Sequence, residues 1–208
     1  MFKFFKNIFT QKNIEPVIYE NNDKNYIHNG MHYFAIENMT IDDIISILDV
    51  KKNQETNCDK AFEYLWEDKN EEIDNFKIII SENIENWNFI YCETGNFEYN
   101  KKIVEKLISC SKNRVNYYYA DSCVDGYDWV LANKGEILRE FEYTMSTISI
   151  NIGKCLSVEE DKFIHNINKD GDFIFGEEVY NSIVKATCDI KTKWYEKNQK
   201  FIIGEIKK

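Results

Sequence analysis

Apolar and polar positions alternate most clearly between Asn116 and Tyr143, a stretch that reads as three consecutive strands joined by tight turns. Tyr117, Tyr118 and Tyr119 favour a pleated strand, and Asp125-Gly126 marks a turn. Tyr127 to Ala132 forms the second strand, and Asn133-Lys134-Gly135 turns the chain again. In the third strand the alternation places Ile137, Arg139, Phe141 and Tyr143 on one face, with Leu138, Glu140 and Glu142 on the other.

The pattern upstream predicts a short strand at Val17 to Glu20, a turn-rich run around Asn29-Gly30, and a strand from His32 to Ile36. Thr40 is an N-cap for a helix over 41–49, with Ile41, Ile44, Ile45 and Leu48 at helical spacing. Thr56 or Asn57 caps a second helix ending at Trp66, and Phe76 to Ile80 and Trp87 to Tyr91 are two apolar strands. Asn100 is read as the cap of a helix through about Lys112. Downstream, Thr147 to Ile152 extends the sheet, Ser157 and Glu160 suggest a capping box, Glu177 to Cys188 is a helix, and Phe201 to Ile206 is a last strand. Strands in runs with helices between and after them predict an α+β fold, a mostly antiparallel sheet with helices packed on one side. Residues 1–13 read as an amphipathic N-terminal segment and 14–208 as a single domain.

Composition narrows the function classes. A hydrophobic share of 43% and an aromatic share of 15% suffice for a packed core. The net charge of −10 is concentrated in residues 14–100, which carry 19 acids against 6 bases, whereas Lys3, Lys6 and Lys12 make residues 1–13 basic. This distribution argues against direct nucleic-acid binding and favours a basic protein partner. The six cysteines form no C-x-x-C pair and read as reduced thiols of a cytoplasmic protein. Phe2, Phe5 and Phe9 beside Lys3 and Lys6 allow at most weak membrane-surface contact through residues 1–9. The abundance of Asn, Ile and Lys, with only Arg114 and Arg139 as arginines, suggests an AT-rich bacterial genome.

Candidate chemistry is sparse. Asn166 to Glu177 matches part of a calcium loop, with Asn168, Asp170, Gly171 and Glu177 at suitable positions. Asn166 at its first position and Ile174 at its ninth favour a plain polar turn. His28 and His32 lack a third ligand, His165 stands alone, and no cofactor or metal site is assigned. Asp121, Asp125 and Asp128 sit at strand ends, where turn chemistry explains them. Arg139 in a lysine-rich chain, mid-strand and close to Trp129, predicts burial, a cation–π contact and a carboxylate partner, with Asp121 or Asp128 as candidates.

The helix at 100–112, the tyrosine strand, the Tyr127-Asp128-Trp129 strand, the Asn133-Lys134-Gly135 turn, the Ile137 to Tyr143 strand and Gly176-Glu177-Glu178-Val179 opening a helix follow one order. That order, over roughly residues 76–190, resembles a diffuse group of bacterial proteins that look like immunity proteins of polymorphic-toxin systems. The resemblance implies a partner-binding role and carries no functional residue with it. The expectation is a cytoplasmic immunity-like protein that neutralises a toxin, binding it through Asp42, Asp43, Asp59, Glu63, Glu67 and Glu71. The alternative is a small-molecule-binding or enzymatic domain with a pocket formed by Tyr117, Tyr119, Asp121, Asp128, Trp129 and Arg139.

Overall fold

The computed structural model describes residues 31–67, 75–92, 97–121, 126–145, 147–159, 177–188 and 199–207. Its strands are β1 (Met31–Glu37), β2 (Lys51–Asn57), β3 (Asn75–Ser81), β4 (Trp87–Cys92), β5 (Arg114–Asp121), β6 (Gly126–Asn133), β7 (Glu136–Thr144), β8 (Thr147–Gly153) and β9 (Lys200–Lys207). They form one nine-stranded sheet in the order β2-β9-β3-β4-β1-β5-β6-β7-β8, and every neighbouring pair is antiparallel. The helices are α1 (Ile41–Leu48), α2 (Cys58–Trp66), α3 (Phe97–Cys110) and α4 (Glu177–Cys188). The α+β class and the antiparallel sheet are as expected.

The central strands are apolar at consecutive positions, so both faces of the sheet must be covered. On one face Phe34, Ile36, Ile78, Ile80, Ile90 and Val115 pack with Ile44 and Leu48 of α1 and with Ile103, Val104, Leu107 and Ile108 of α3. On the other, Tyr33, Ala35, Ile79, Tyr91, Tyr118 and Trp129 pack with Ala61 and Leu65 of α2 and with Ile183 and Val184 of α4. Helices on one side therefore describes α1 and α3, while α2 and α4 contribute to the opposite core.

Local chemistry sets the helix ends. The Thr40 hydroxyl accepts from the Asp43 amide at 3.1 Å and the Asn57 side chain accepts from the Lys60 amide at 3.0 Å, as the sequence suggested. Asn100 is no cap: α3 begins at Phe97, and Asn100 lies buried inside it. At the C-terminal end of α2 the buried Lys77 ammonium donates to the Tyr64 and Glu67 carbonyls at 2.6 and 2.5 Å, satisfying groups the helix leaves open.

The two outer strands differ. β2 was not expected, because Lys51-Lys52-Asn53-Gln54-Glu55-Thr56-Asn57 has no apolar residue; it is exposed, charged and bulged between Lys51 and Gln54. β8, Thr147-Ile148-Ser149-Ile150-Asn151-Ile152-Gly153, is also largely exposed but carries no charge. The Phe201 to Ile206 strand is found as β9, inserted between β2 and β3. Residues 1–30 and 160–176 lie outside the described residues. The N-terminal segment, the Val17 to Glu20 strand, His28, His165, Glu160 of the capping box and all of the calcium-like loop except Glu177 therefore fall outside them.

Candidate functional site

The β6–β7 hairpin builds the site by means of one extra residue. Turning at Lys134-Gly135, it pairs Asn133 with Glu136 and Ala132 with Ile137, then shifts register so that Arg139 opposes Leu131. Leu138 is the bulged residue. Ile137 is thereby carried off the face of Arg139, Phe141 and Tyr143, contrary to a simple alternation, and Glu140 and Glu142 come to oppose Val130 and Asp128. Gly153 accommodates the bulge: it has φ +86°, and a Cβ there would stand 2.1 Å from the Leu138 carbonyl oxygen.

The result is a small open groove, of about 70 Å³, between α3 and strands β5 to β8. Its polar lining is Asp128, Glu140, Glu142 and Glu105, with Lys101 as the basic member. The Lys101 ammonium lies 3.9 Å from Glu140. Val104, Val130, Ile137 and Ile150 make its apolar walls.

Asp128 is only 5% exposed. Burial, reinforced by the neighbouring Glu142 and Glu140 carboxylates and opposed by the Tyr143 backbone amide, raises its carboxyl to about 8. At pH 7 it is mostly a neutral acid. Tyr117 also lines the groove, and its phenol oxygen lies 2.7 Å from His32 Nδ1. Burial, with Asp128 nearby, holds that phenol well above its ordinary range. His32 stacks on Tyr119 with ring centroids 4.3 Å apart, and Tyr119 donates to Asp121 at 3.2 Å. Burial lowers His32 to about 4 although Asp121 opposes the shift, so the imidazole is neutral at pH 7.

The other face holds a closed polar cluster. Arg139 is 1% exposed, and its Nε lies 3.0 Å from both carboxylate oxygens of Glu159. Trp129 Nε1 donates to Glu159 at 2.7 Å, and the Leu156 amide donates to the same carboxylate at 2.8 Å. Arg139 Nη1 donates to Asn151 Oδ1 at 2.8 Å and to the Ile152 carbonyl at 2.9 Å. These contacts lock the chain after β8 onto β6 and β7. With so many donors and acceptors matched and no lining of the groove, the cluster holds structure together rather than offering a binding surface.

The residues expected to share a pocket therefore divide. Tyr117, Tyr119, Asp121 and Asp128 belong to the groove side, whereas Trp129 and Arg139 project from the opposite face, because adjacent strand positions point in opposite directions. Arg139 is buried and paired as expected, but with Glu159 instead of Asp121 or Asp128. Its guanidinium lies 5.3 Å from the centroid of Phe141, while Trp129 stacks on Phe141 at 4.2 Å and meets Arg139 through Glu159.

The acidic residues expected to meet a partner do not form one patch. Asp42 and Asp43 are exposed on α1, and Asp59, Glu63 and Glu67 are exposed at α2, which packs on the opposite face. Glu71 lies outside the described residues. Glu105, Glu140, Glu142 and Glu159 were not singled out in the sequence. Only the hairpin register, with its bulge, brings the two β7 glutamates to Asp128 and Val130.

Among the described residues, no group of three or more His, Cys, Asp or Glu side chains could hold a metal ion, and no helix is long and apolar enough to cross a membrane. Comparisons with protein-family models, curated proteins and solved structures return no significant match.

Proposed function

We propose that this chain is an immunity-like interaction protein that binds and neutralises a basic bacterial toxin domain, and that the β6–β7 groove is its contact site. The observation that carries the reading is the groove's charge: Glu105, Glu140 and Glu142 face a single lysine, Lys101, in a concavity with apolar walls. A lysine or arginine side chain fits there, its aliphatic stem against Val130 and Ile150 and its charged end at the carboxylates. The whole-chain charge of −10 supports the same choice of partner by steering a basic domain toward the protein.

The test is co-expression with the toxin-like product of the adjacent gene, with growth as the readout. The expected result is protection by the native chain, and protection lost with the double variant Glu140→Gln/Glu142→Gln. That variant should bind the purified toxin domain at least about tenfold more weakly, with a shallower salt dependence. No protection by the native chain would remove the immunity reading.

A second reading, a small-molecule-binding domain, keeps support in a narrower form. The depth of Asp128 and the Tyr117–His32 contact suit a small organic cation in the same groove. Calorimetry with a panel of mono- and diamines separates it, since a toxin-binding surface predicts no saturable heat.

A further inference from the structure

We infer that β8 is a strand-addition edge, and that the partner contributes an extended, basic segment pairing with Thr147–Gly153 as a further antiparallel strand. This rests on the proposed basic partner and specifies how that partner binds.

Three observations converge on this edge. Among the described residues β8 has a neighbour on one side only, β7, so its outer row of amides and carbonyls lacks a strand partner. The opposite edge is guarded: β2 presents Lys51, Lys52 and Glu55 and is bulged, the usual means of discouraging strand pairing. β8 has no charge, and Ile148 and Ile152 are 44% and 57% exposed. Its irregularity is a register shift that turns Ile148 to the face of Tyr143 and leaves Ile150 and Ile152 on the groove face with Glu142 and Glu140.

The third observation is continuity with the groove. Ile150 is both a residue of β8 and part of the groove wall. Side chains of an added strand alternate between faces, so every second one lies on the face that carries Glu140, Glu142 and Asp128. Lysines or arginines at those positions would meet the acidic lining, and β-branched residues on the other face would cover Ile148. A second copy of this chain is disfavoured as occupant, because two-fold pairing of β8 would bring together two sets of these glutamates on chains of net charge −10.

The experiment uses the full chain and a short synthetic peptide alternating lysine with valine, with an alternating glutamate–valine peptide as control. Amide hydrogen exchange is followed through Thr147–Gly153. The expected result is saturable binding of the lysine peptide alone, with exchange along β8 slowed at least about tenfold. The exposed double variant Ile148→Lys/Ile152→Lys should keep the melting temperature and lose this binding and protection. Binding that is sensitive to Glu140→Gln/Glu142→Gln but leaves β8 exchange unchanged would overturn strand addition while leaving the groove as the contact site. Absence of peptide binding would also overturn it, and the co-expression test then judges the broader reading alone. A concentration-dependent doubling of mass, abolished by Ile148→Lys/Ile152→Lys, would assign the edge to a second copy and equally overturn the inference.

Discussion

Arg139 Nε contacts both oxygens of the Glu159 carboxylate at 3.0 Å, with the two side chains 1% and 0% exposed. A buried pair of this kind is costly to break from one side, because the surviving charge keeps its desolvation penalty. Glu159→Ala should therefore destabilise the protein by about 3–5 kcal/mol in urea unfolding, and Arg139→Met by a similar amount. The double variant Arg139→Met/Glu159→Met should lose less than the sum of the single changes, since no unpaired charge remains. Additive losses would show that the two residues act independently.

Lysine is not a substitute at position 139. The guanidinium serves Glu159 from Nε and both Asn151 and the Ile152 carbonyl from Nη1, and a single ammonium cannot span that fork. Arg139→Lys should cost on the order of 2 kcal/mol and release the chain after β8, seen as faster exchange of the Leu156 amide, which donates to Glu159. Unchanged exchange there would mean that the segment is held by other contacts.

How much of this was legible beforehand follows from which forces act locally. The apolar runs at His32 to Ile36, Phe76 to Ile80 and Trp87 to Tyr91 announce buried strands by themselves, and Thr40 and Asn57 cap their helices through bonds to the third residue on. β2 announced nothing, because its strand state depends on pairing with β9, which lies 143 to 154 residues further along the chain at the paired positions, from Asn57 with Lys200 to Lys51 with Glu205. The burial of Arg139 was readable from its rarity and setting, but its partner was not, since Glu159 reaches it only after the chain leaves β8 and turns back. The groove was hidden for a similar reason: alternation is a rule about unbroken strands, and the Leu138 bulge breaks it.

Asp128 gives the protein a pH dependence with a definite sign. Its folded carboxyl, raised from 3.8 to about 8, binds a proton that the unfolded chain has already released at neutral pH. Its contribution to stability is present in full below pH 3.8 and is lost as the pH rises through 8. Asp128→Asn keeps the shape without the charge, so it should raise the melting temperature at pH 8 and change it much less at pH 4. A cation entering the groove would favour the ionised form, so binding at pH 7 should release protons. Calorimetry in buffers of different ionisation enthalpy measures this directly, and proton uptake would contradict it.

His32 acts in the opposite sense. Its folded value, lowered from 6.5 to about 4, gives stability that is present above pH 6.5 and lost as the pH falls through 4. NMR titration of the ring should show a neutral imidazole at pH 5.5, where an exposed histidine is largely protonated. A midpoint near 6.5 would mean that the stack on Tyr119 and the contact with Tyr117 do not bury it.

Gly153 should couple fold to site more sharply than any groove residue. It faces the Leu138 bulge with φ +86°, a region L side chains rarely adopt, and an added Cβ would meet the Leu138 carbonyl at 2.1 Å. Backbone on both sides of that contact leaves no flexible atom to move aside, so Gly153→Ala should cost on the order of 2 kcal/mol or more. The bulge is also what brings Glu142 opposite Asp128. If the variant relieves the clash by losing the bulge, the carboxylates shift out of register and Asp128 loses its closest like charge. Its titration midpoint should then fall by at least about one unit, read by carbon-detected NMR of the carboxyl group. A destabilised variant with the Asp128 midpoint unmoved would show that the groove's register is held by other contacts along β7.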